Sequence, residues 1–254
     1  MDSSTVPLRP SATDRTLDLP PFFEAIALRE VGDAFVHACA VAGERGAGTL
    51  VWVRRYDLAE FAVVLEPDEA LAPARRAFYV CMNALADALA VQAPPERPLT
   101  FEWPDAIRID GVLVGGGRLA WPARTREKSV PPWLVFSGMV RTCVVRAGEP
   151  GVRPLLGALD ELGFADCDPG ELIASFARHL MAGFHDWSAV GFAKAERDWL
   201  ERLERKAGES MRIADNGDLL VVRNAGRKPA ERRELKRALA APSWLDPETG
   251  TPWI

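Results

Sequence analysis

The chain has 254 residues, 48% of them hydrophobic and 26% charged, which is enough apolar material for one large domain or for one with a small appendage. Its net charge of -5 and pI near 5.4 argue against nucleic acid as a main partner, because phosphate binding needs a basic face. The N-terminal text has no signal-peptide core and no apolar run is long enough to span a bilayer, so the expectation is a soluble, cytoplasmic protein with no membrane partner.

Residues 1–18 are rich in Ser, Thr, Pro and charge and read as a disordered tail. "VGDAFVHACAVAGERGAG" sets Phe35, Ala38, Cys39 and Ala42 on one helical face and ends in glycines. "TLVWVRR" and "FAVVLEP" read as strands separated by the short "YDLAE". The spacing of Leu71, Phe78, Met82, Leu85 and Leu89 predicts one helix, capped by Asp68 and closed by "QAPPERP".

Next comes "FEWPDAIRIDGVLVGGGRLAWP", residues 101–122. Here "AIRI" and "VLV" alternate about Asp110-Gly111, a dipeptide that supplies the positive φ of a two-residue hairpin turn. Gly115, Gly116 and Gly117 follow, and residues without side chains leave room for something to approach the backbone closely. That something is a ligand, or else the glycines form a bulge packed beneath another strand. "PPWLVFSGMVRTC" is a further strand, interrupted by Gly138.

Asp168-Pro169-Gly170-Glu171 has capping-box form and opens a helix through Leu172, Ile173, Phe176, Leu180 and Phe184. A second helix carries Phe192, Trp199 and Leu203. "MRIADNGDLLVV" reads as a hairpin about Asn216-Gly217, "PAERRELKRALAA" as a charged helix, and "PSWLDPETGTPWI" as a turn-rich end. The basic run over residues 227–237 is interrupted by acids and reads as a solvated helix face. Cys39, Cys81, Cys143 and Cys167 are far apart in apolar contexts, which suits buried reduced thiols and gives no metal-ligand spacing. His37, His179 and His185 sit on predicted helices with no partner acid that the text identifies. The order suggests an α/β domain of largely antiparallel strands, followed by a small C-terminal module.

The stretch Glu102, Trp103, Pro104, Asp105, Ala106, followed by "IRIDG" and "VLVGGG", resembles the signature of biotin–protein ligases, in which Lys-Trp-Pro-Asn-Asp leads through a strand and a turn to a Val-Gly-Gly return strand. "AGTLVWV" and "LVFSGMV" resemble two further strands of that family's sheet. "ELIASFARHLMAGFHDW" with "GFAKAERDWLERLE" resembles the helical segment before its small C-terminal domain. The resemblance covers residues 20–222. It implies an α/β (α+β) fold shared with lipoate ligases and octanoyltransferases and related to class II aminoacyl-tRNA synthetases. Such a fold has a mixed, mainly antiparallel sheet with helices, plus a small C-terminal domain. The implied division is a tail at 1–18, a ligase-like domain at 19–207 and a C-terminal domain at 208–254. The implied ligand is a small carboxylic acid of the biotin or lipoate class, bound by Trp103, Gly115, Gly116, Gly117, Arg118 and Gly138. The implied protein partner is a biotinyl or lipoyl carrier domain.

Ligation through an acyl-adenylate requires cations near the acyl carboxylate and the phosphates, to offset charge that builds up in the transition state. The biotin-ligase lysine position holds Glu102, and the position at which lipoate ligases keep their lysine holds Leu113. The chain's lysines are Lys128, Lys194, Lys206, Lys228 and Lys236, and none falls in either motif. The Gly-Arg loop that closes over phosphates is reduced to "RRYDLAE". Arg54 and Arg55 remain as phosphate-binding candidates, or as two exposed strand-end arginines. The family's Asn-Asp pair is shifted to Asp105-Ala106, so no metal site is expected, and ATP and Mg2+ enter only if ligation occurs. Candidate catalytic groups are Arg118, Arg108 and Asp105, none of them carried by an intact motif. Cys143 lacks the His and Pro neighbours of the transferase pattern and reads as structural. The favoured reading is a divergent acid-binding relative with weak or no conventional ligase activity. The alternatives are an active divergent ATP-dependent ligase and, third, an ATP-independent acyltransferase.

Overall fold

The computed structural model describes residues 16–144, 155–164, 167–204, 208–223 and 231–253. The alternating segments pair as their pattern requires. β5 (Ala106–Ile109) and β6 (Val112–Ala120) form a hairpin whose turn residues, Asp110 at φ 53 and Gly111 at φ 78, are both left-handed. β7 (Leu134–Arg141) lies antiparallel to β6 and to β3 (Leu58–Leu65). β4 (Leu99–Glu102) closes the hairpin edge. β2 (Thr49–Val53) pairs antiparallel with β3. At the far edge β1 (Glu24–Leu28) runs parallel to β2, the two joined by α1 (Ala34–Arg45). The seven strands are ordered β1-β2-β3-β7-β6-β5-β4, a mixed and mainly antiparallel sheet.

Both faces of this sheet are covered, which is why β2 and β7 are buried along their whole length. On one face α3 (Ala77–Gln92) and α4 (Pro169–Val190) pack Phe78, Met82 and Phe176 against Phe61 and Phe136, all fully or almost fully buried. On the other, α1 sets Ala34, Ala38 and Ala42 against Val51, Ala62, Val64 and Val135. The hairpin half of that second face is covered by the C-terminal chain. There Trp244, completely buried, packs with Leu58, Ala106, Leu113 and Met139.

A second sheet of three strands has the order β10-β9-β8, from β8 (Glu209–Ile213), β9 (Leu219–Arg223) and β10 (Glu231–Arg233). It is tied to the helices by Tyr79, whose hydroxyl donates to Gly217 O at 2.6 Å. A second tie is Ile213 N, which donates to Glu196 of α5 (Ala193–Arg202) at 2.6 Å. Asp168 caps α4 as expected, accepting from Gly170 N at 2.7 Å.

Two local expectations are corrected. The single helix capped by Asp68 is two pieces, α2 (Leu71–Ala74) and α3, and no side chain caps α2. Its first amides are taken instead by the loop before β7, with Leu71 N donating to Ser129 O and Ala72 N to Glu127 O. The charged helix is strand β10 followed by a short α6 (Leu235–Leu239). Asp218 explains the change, because it binds both Arg232 Nε and Leu235 N and so holds the approach to the helix extended. Residues 227–230 of the basic run lie outside the described residues. β1 had no expectation attached to it. Of the expected tail, residues 1–15 lie outside the described residues, while the Asp18 carbonyl accepts from Arg178 at 3.3 Å. No described helix is long and apolar enough to cross a membrane.

Candidate functional site

The glycine run has the close approaches that its composition called for. A Cβ on Gly116 would lie 2.2 Å from the Asp105 carbonyl oxygen and 2.4 Å from Cδ1 and Nε1 of Trp244. One on Gly117 would lie 2.6 Å from Met82 Sδ, and one on Gly115 would lie 2.0 Å from the Met139 carbonyl oxygen. Gly138, opposite Gly117 in register, gives its space to the Phe61 ring at 2.6 Å. Gly117 and Gly138 therefore serve the packing beneath α3, whereas Gly116 opens on the other face, toward Trp244. Trp103 packs against the core on the α3 side. The proposed ligand set is thus divided between the two faces, and only Gly116 and Arg118 share the face opposite α3.

On that face Arg118 lies over the Phe35 ring, its guanidinium carbon 4.2 Å from the centroid, with Nε buried and without a hydrogen-bond partner among the described residues. Burial lowers its pKa, and Asp33, Glu60 and Cys39 oppose the shift. Glu60 is buried beside it and accepts from Ala34 N, at the start of α1, at 3.0 Å. Burial raises the Glu60 carboxyl, the Ala34 bond and nearby arginines pull it back, and Asp33 adds to the rise.

The other candidate cations are engaged. Arg55 grips Asp57 with two bonds, of 3.0 and 2.8 Å. Arg54 lies 6.0 Å from the Trp52 ring centroid. Arg108 donates to Glu102 at 2.8 Å and to Gly111 O at 3.0 Å, so the carboxylate at the biotin-ligase lysine position has a partner of opposite sign. Leu113, at the lipoate-ligase lysine position, is 4% exposed and packs with Trp244.

Asp105 is fully buried, and Ser243 donates to its carboxylate from Oγ at 2.8 Å and from N at 3.3 Å. Burial pushes its pKa up to about 7, against the pull of the Ser243 bonds and with a further push from Glu102. It thus anchors the C-terminal chain. Among the described residues no group of three or more His, Cys, Asp or Glu side chains could hold a metal ion. Cys143 lines a separate cleft of about 1250 Å³ with Tyr56, Asp160, Cys167 and Arg178. Burial, Asp160 and Asp57 raise its thiol pKa, the opposite of activation.

Two residues escaped the sequence reading. Arg141, 4% exposed, ends β7 on the Gly116 face. Its Nη2 donates to Pro252 O at 2.8 Å and to Thr251 Oγ1 at 3.2 Å, and its Nε is buried and without a hydrogen-bond partner among the described residues. Its signal was an arginine ending an otherwise apolar strand, two residues from Met139 and so on the same face. Trp244 was hidden in a turn-rich tail, and nothing local marks its destination. Its Nε1 donates to Gly117 O at 3.3 Å.

A model of the biotin/lipoate A/B protein ligase family matches residues 19–201. A biotin–[acetyl-CoA-carboxylase] ligase of Paracoccus denitrificans is 29% identical over 180 residues, covering 68% of this chain and 72% of that one. A biotin protein ligase-like protein of unknown function from Silicibacter sp. TM1040 superposes with a TM-score of 0.73 at 26% identity, over 87% of this chain and 98% of its own. The apo biotin protein ligase of Aquifex aeolicus superposes with a TM-score of 0.63 at 13% identity, over 83% of this chain and 96% of its own, a likeness of fold.

Proposed function

The chain belongs to the biotin/lipoate A/B protein ligase family, and we propose that it binds a carboxylic acid of the biotin or lipoate class without conventional ligase activity. The observation that carries this reading is the state of the two lysine positions. Glu102 is neutralised by Arg108, and Leu113 is buried under Trp244. An adenylating site must gather a triphosphate and an acyl carboxylate, and it does so with fixed cations aimed at the reacting phosphate. Here the seven strands of the main sheet carry no lysine, and Arg55 is committed to Asp57.

The acid-binding half of the reading is supported by the sheet face opposite α3. Arg118 and Arg141 lie on either side of the Gly116–Met139 pair, each two residues or about 7 Å along its strand from that pair. The Gly116–Met139 floor, flanked by the buried Glu60 and bounded by the half-buried Arg118 and the buried Arg141, suits a ligand with an apolar body and an acidic end that meets Arg141. The test is calorimetric titration of the full chain with biotin and with lipoate, each with and without MgATP. Binding of an acid with no dependence on MgATP is expected. Tighter binding with MgATP, together with pyrophosphate release, would favour the divergent ligase instead. No heat with either acid would remove the acid-binding reading.

A further inference from the structure

We propose that the C-terminal hairpin, residues 243–253, occupies the acid site as an internal ligand, with Arg141 as the group that receives the acid's carboxylate once the hairpin is displaced. This rests on the acid-binding reading above and assigns its site.

The hairpin is a defined element. Leu245 bridges Pro252 antiparallel, Trp253 N donates to Trp244 O at 3.1 Å, and Asp246 N donates to Thr251 O at 2.9 Å. The Asp246 carboxylate closes the turn by accepting from Glu248 N at 2.9 Å and from Thr249 Oγ1 at 3.0 Å. Both arms reach the sheet. One sets the Trp244 indole over Gly116, against Leu58, Ala106, Leu113 and Met139. The other brings Thr251 Oγ1 and Pro252 O to Arg141. An apolar ring on a glycine floor, with acceptor oxygens on a buried guanidinium, is what an acid with an apolar body would present.

The charges select Arg141 over Arg118 as the carboxylate receptor. Arg118 already has two acids near it, Asp33 and Glu60. The acid whose charge acts on Arg141 is Asp57, which is gripped by Arg55 through two bonds. Among the described residues the acceptors on the Arg141 guanidinium, Thr251 Oγ1 and Pro252 O, are neutral, and its Nε has none. A buried guanidinium held by a carbonyl and a hydroxyl gains a charge-assisted, two-point contact when a carboxylate replaces them.

The other arm is held by Ser243 on Asp105 and by Trp244 Nε1 on Gly117 O. The Trp244 contact is given up when an acid takes the cradle, whereas the Ser243 bonds can persist as the hinge.

The experiment is hydrogen exchange on the full chain, with and without saturating biotin or lipoate, beside calorimetry of two full-length variants. Acid binding should speed exchange of the Asp246, Gly250 and Trp253 amides while those of β6 and β7 stay protected. Trp244→Ala frees the cradle and should tighten acid binding by about tenfold or more, because the fraction of open sites limits apparent affinity. Arg141→Gln should lower the ratio of lipoate to lipoamide affinity about tenfold or more, because only lipoate carries the carboxylate while any loosening of the hairpin acts on both; an unchanged ratio would overturn the role of Arg141. If an acid binds and the hairpin amides stay protected, the internal-ligand proposal falls and the acid-binding reading stands. If neither acid binds the wild type or a folded Trp244→Ala chain, both fall. Should Trp244→Ala not fold, the wild-type exchange pattern decides alone.

Discussion

Gly116→Ala puts one methyl group where the chain is closest to itself. The added carbon would sit 2.2 Å from the Asp105 carbonyl oxygen, which already accepts Gly117 N at 2.9 Å, and 2.4 Å from two atoms of the Trp244 indole. The carbonyl belongs to the strand ladder and must itself shift, and the indole, being fully buried, can yield only by leaving its seat. Overpacking a core site usually costs about 1–3 kcal/mol. Complete loss of a buried tryptophan side chain, about 3–5 kcal/mol, bounds the effect from above. The expected destabilisation is therefore about 2–4 kcal/mol, a fall in melting temperature on the order of 5–15 °C for a chain of this length. Urea unfolding of the wild type, Gly116→Ala, Trp244→Ala and the double variant checks this, and the two changes should be coupled by at least about 1 kcal/mol. A loss below about 0.5 kcal/mol for Gly116→Ala, the range of an ordinary surface change, would refute the packing of Trp244 on this glycine.

Asp105 gives a pH test with a definite sign. Its folded pKa of about 7 lies above the ~3.9 of an unfolded aspartate, so the folded state holds the extra proton between those values and stability falls as pH rises through that window. Asp105→Asn should remove that part of the slope in urea midpoints taken between about pH 4 and 8, and equal slopes in the two proteins would contradict it. Leu113→Lys, which restores a lysine by position, should destabilise the chain by several kcal/mol because it buries an ammonium under Trp244; a thermal melt unchanged from wild type would count against that burial. Cys143, its thiol pKa raised, should react with iodoacetamide more slowly than free cysteine at neutral pH. Faster reaction would reopen the acyltransferase reading.

The parts of the fold that were legible in the sequence are those set by local chemistry. Asp110-Gly111 between alternating strands could form little other than a tight hairpin, and Asp168 before an apolar helical face marked the start of α4. What misled was local pattern overruled by a distant partner. The segment of β10 and α6 has helical composition throughout, but Asp218, 14 and 17 positions away, holds Arg232 and Leu235 and extends the chain before the helix. At the site, the glycines correctly announced a close approach. Their text did not reveal that the approaching group at Gly116 comes from Trp244, 127 positions beyond Gly117. Charge behaved likewise: Glu102 and Arg108 read as a repulsive anion and a spare cation, and pairing across β4 and β5 makes them neither.

On the proposed reading this member of a ligase family binds an acid without activating it. Pyrophosphate exchange into ATP by the purified full chain tests that most directly, with MgATP, labelled pyrophosphate, and biotin or lipoate at concentrations where calorimetry shows binding. No acid-dependent exchange above the ATP-only control is expected. Robust exchange with either acid would contradict that reading and would mean that Arg118, Arg141 or Arg54 supplies the charge that the two missing lysines do not.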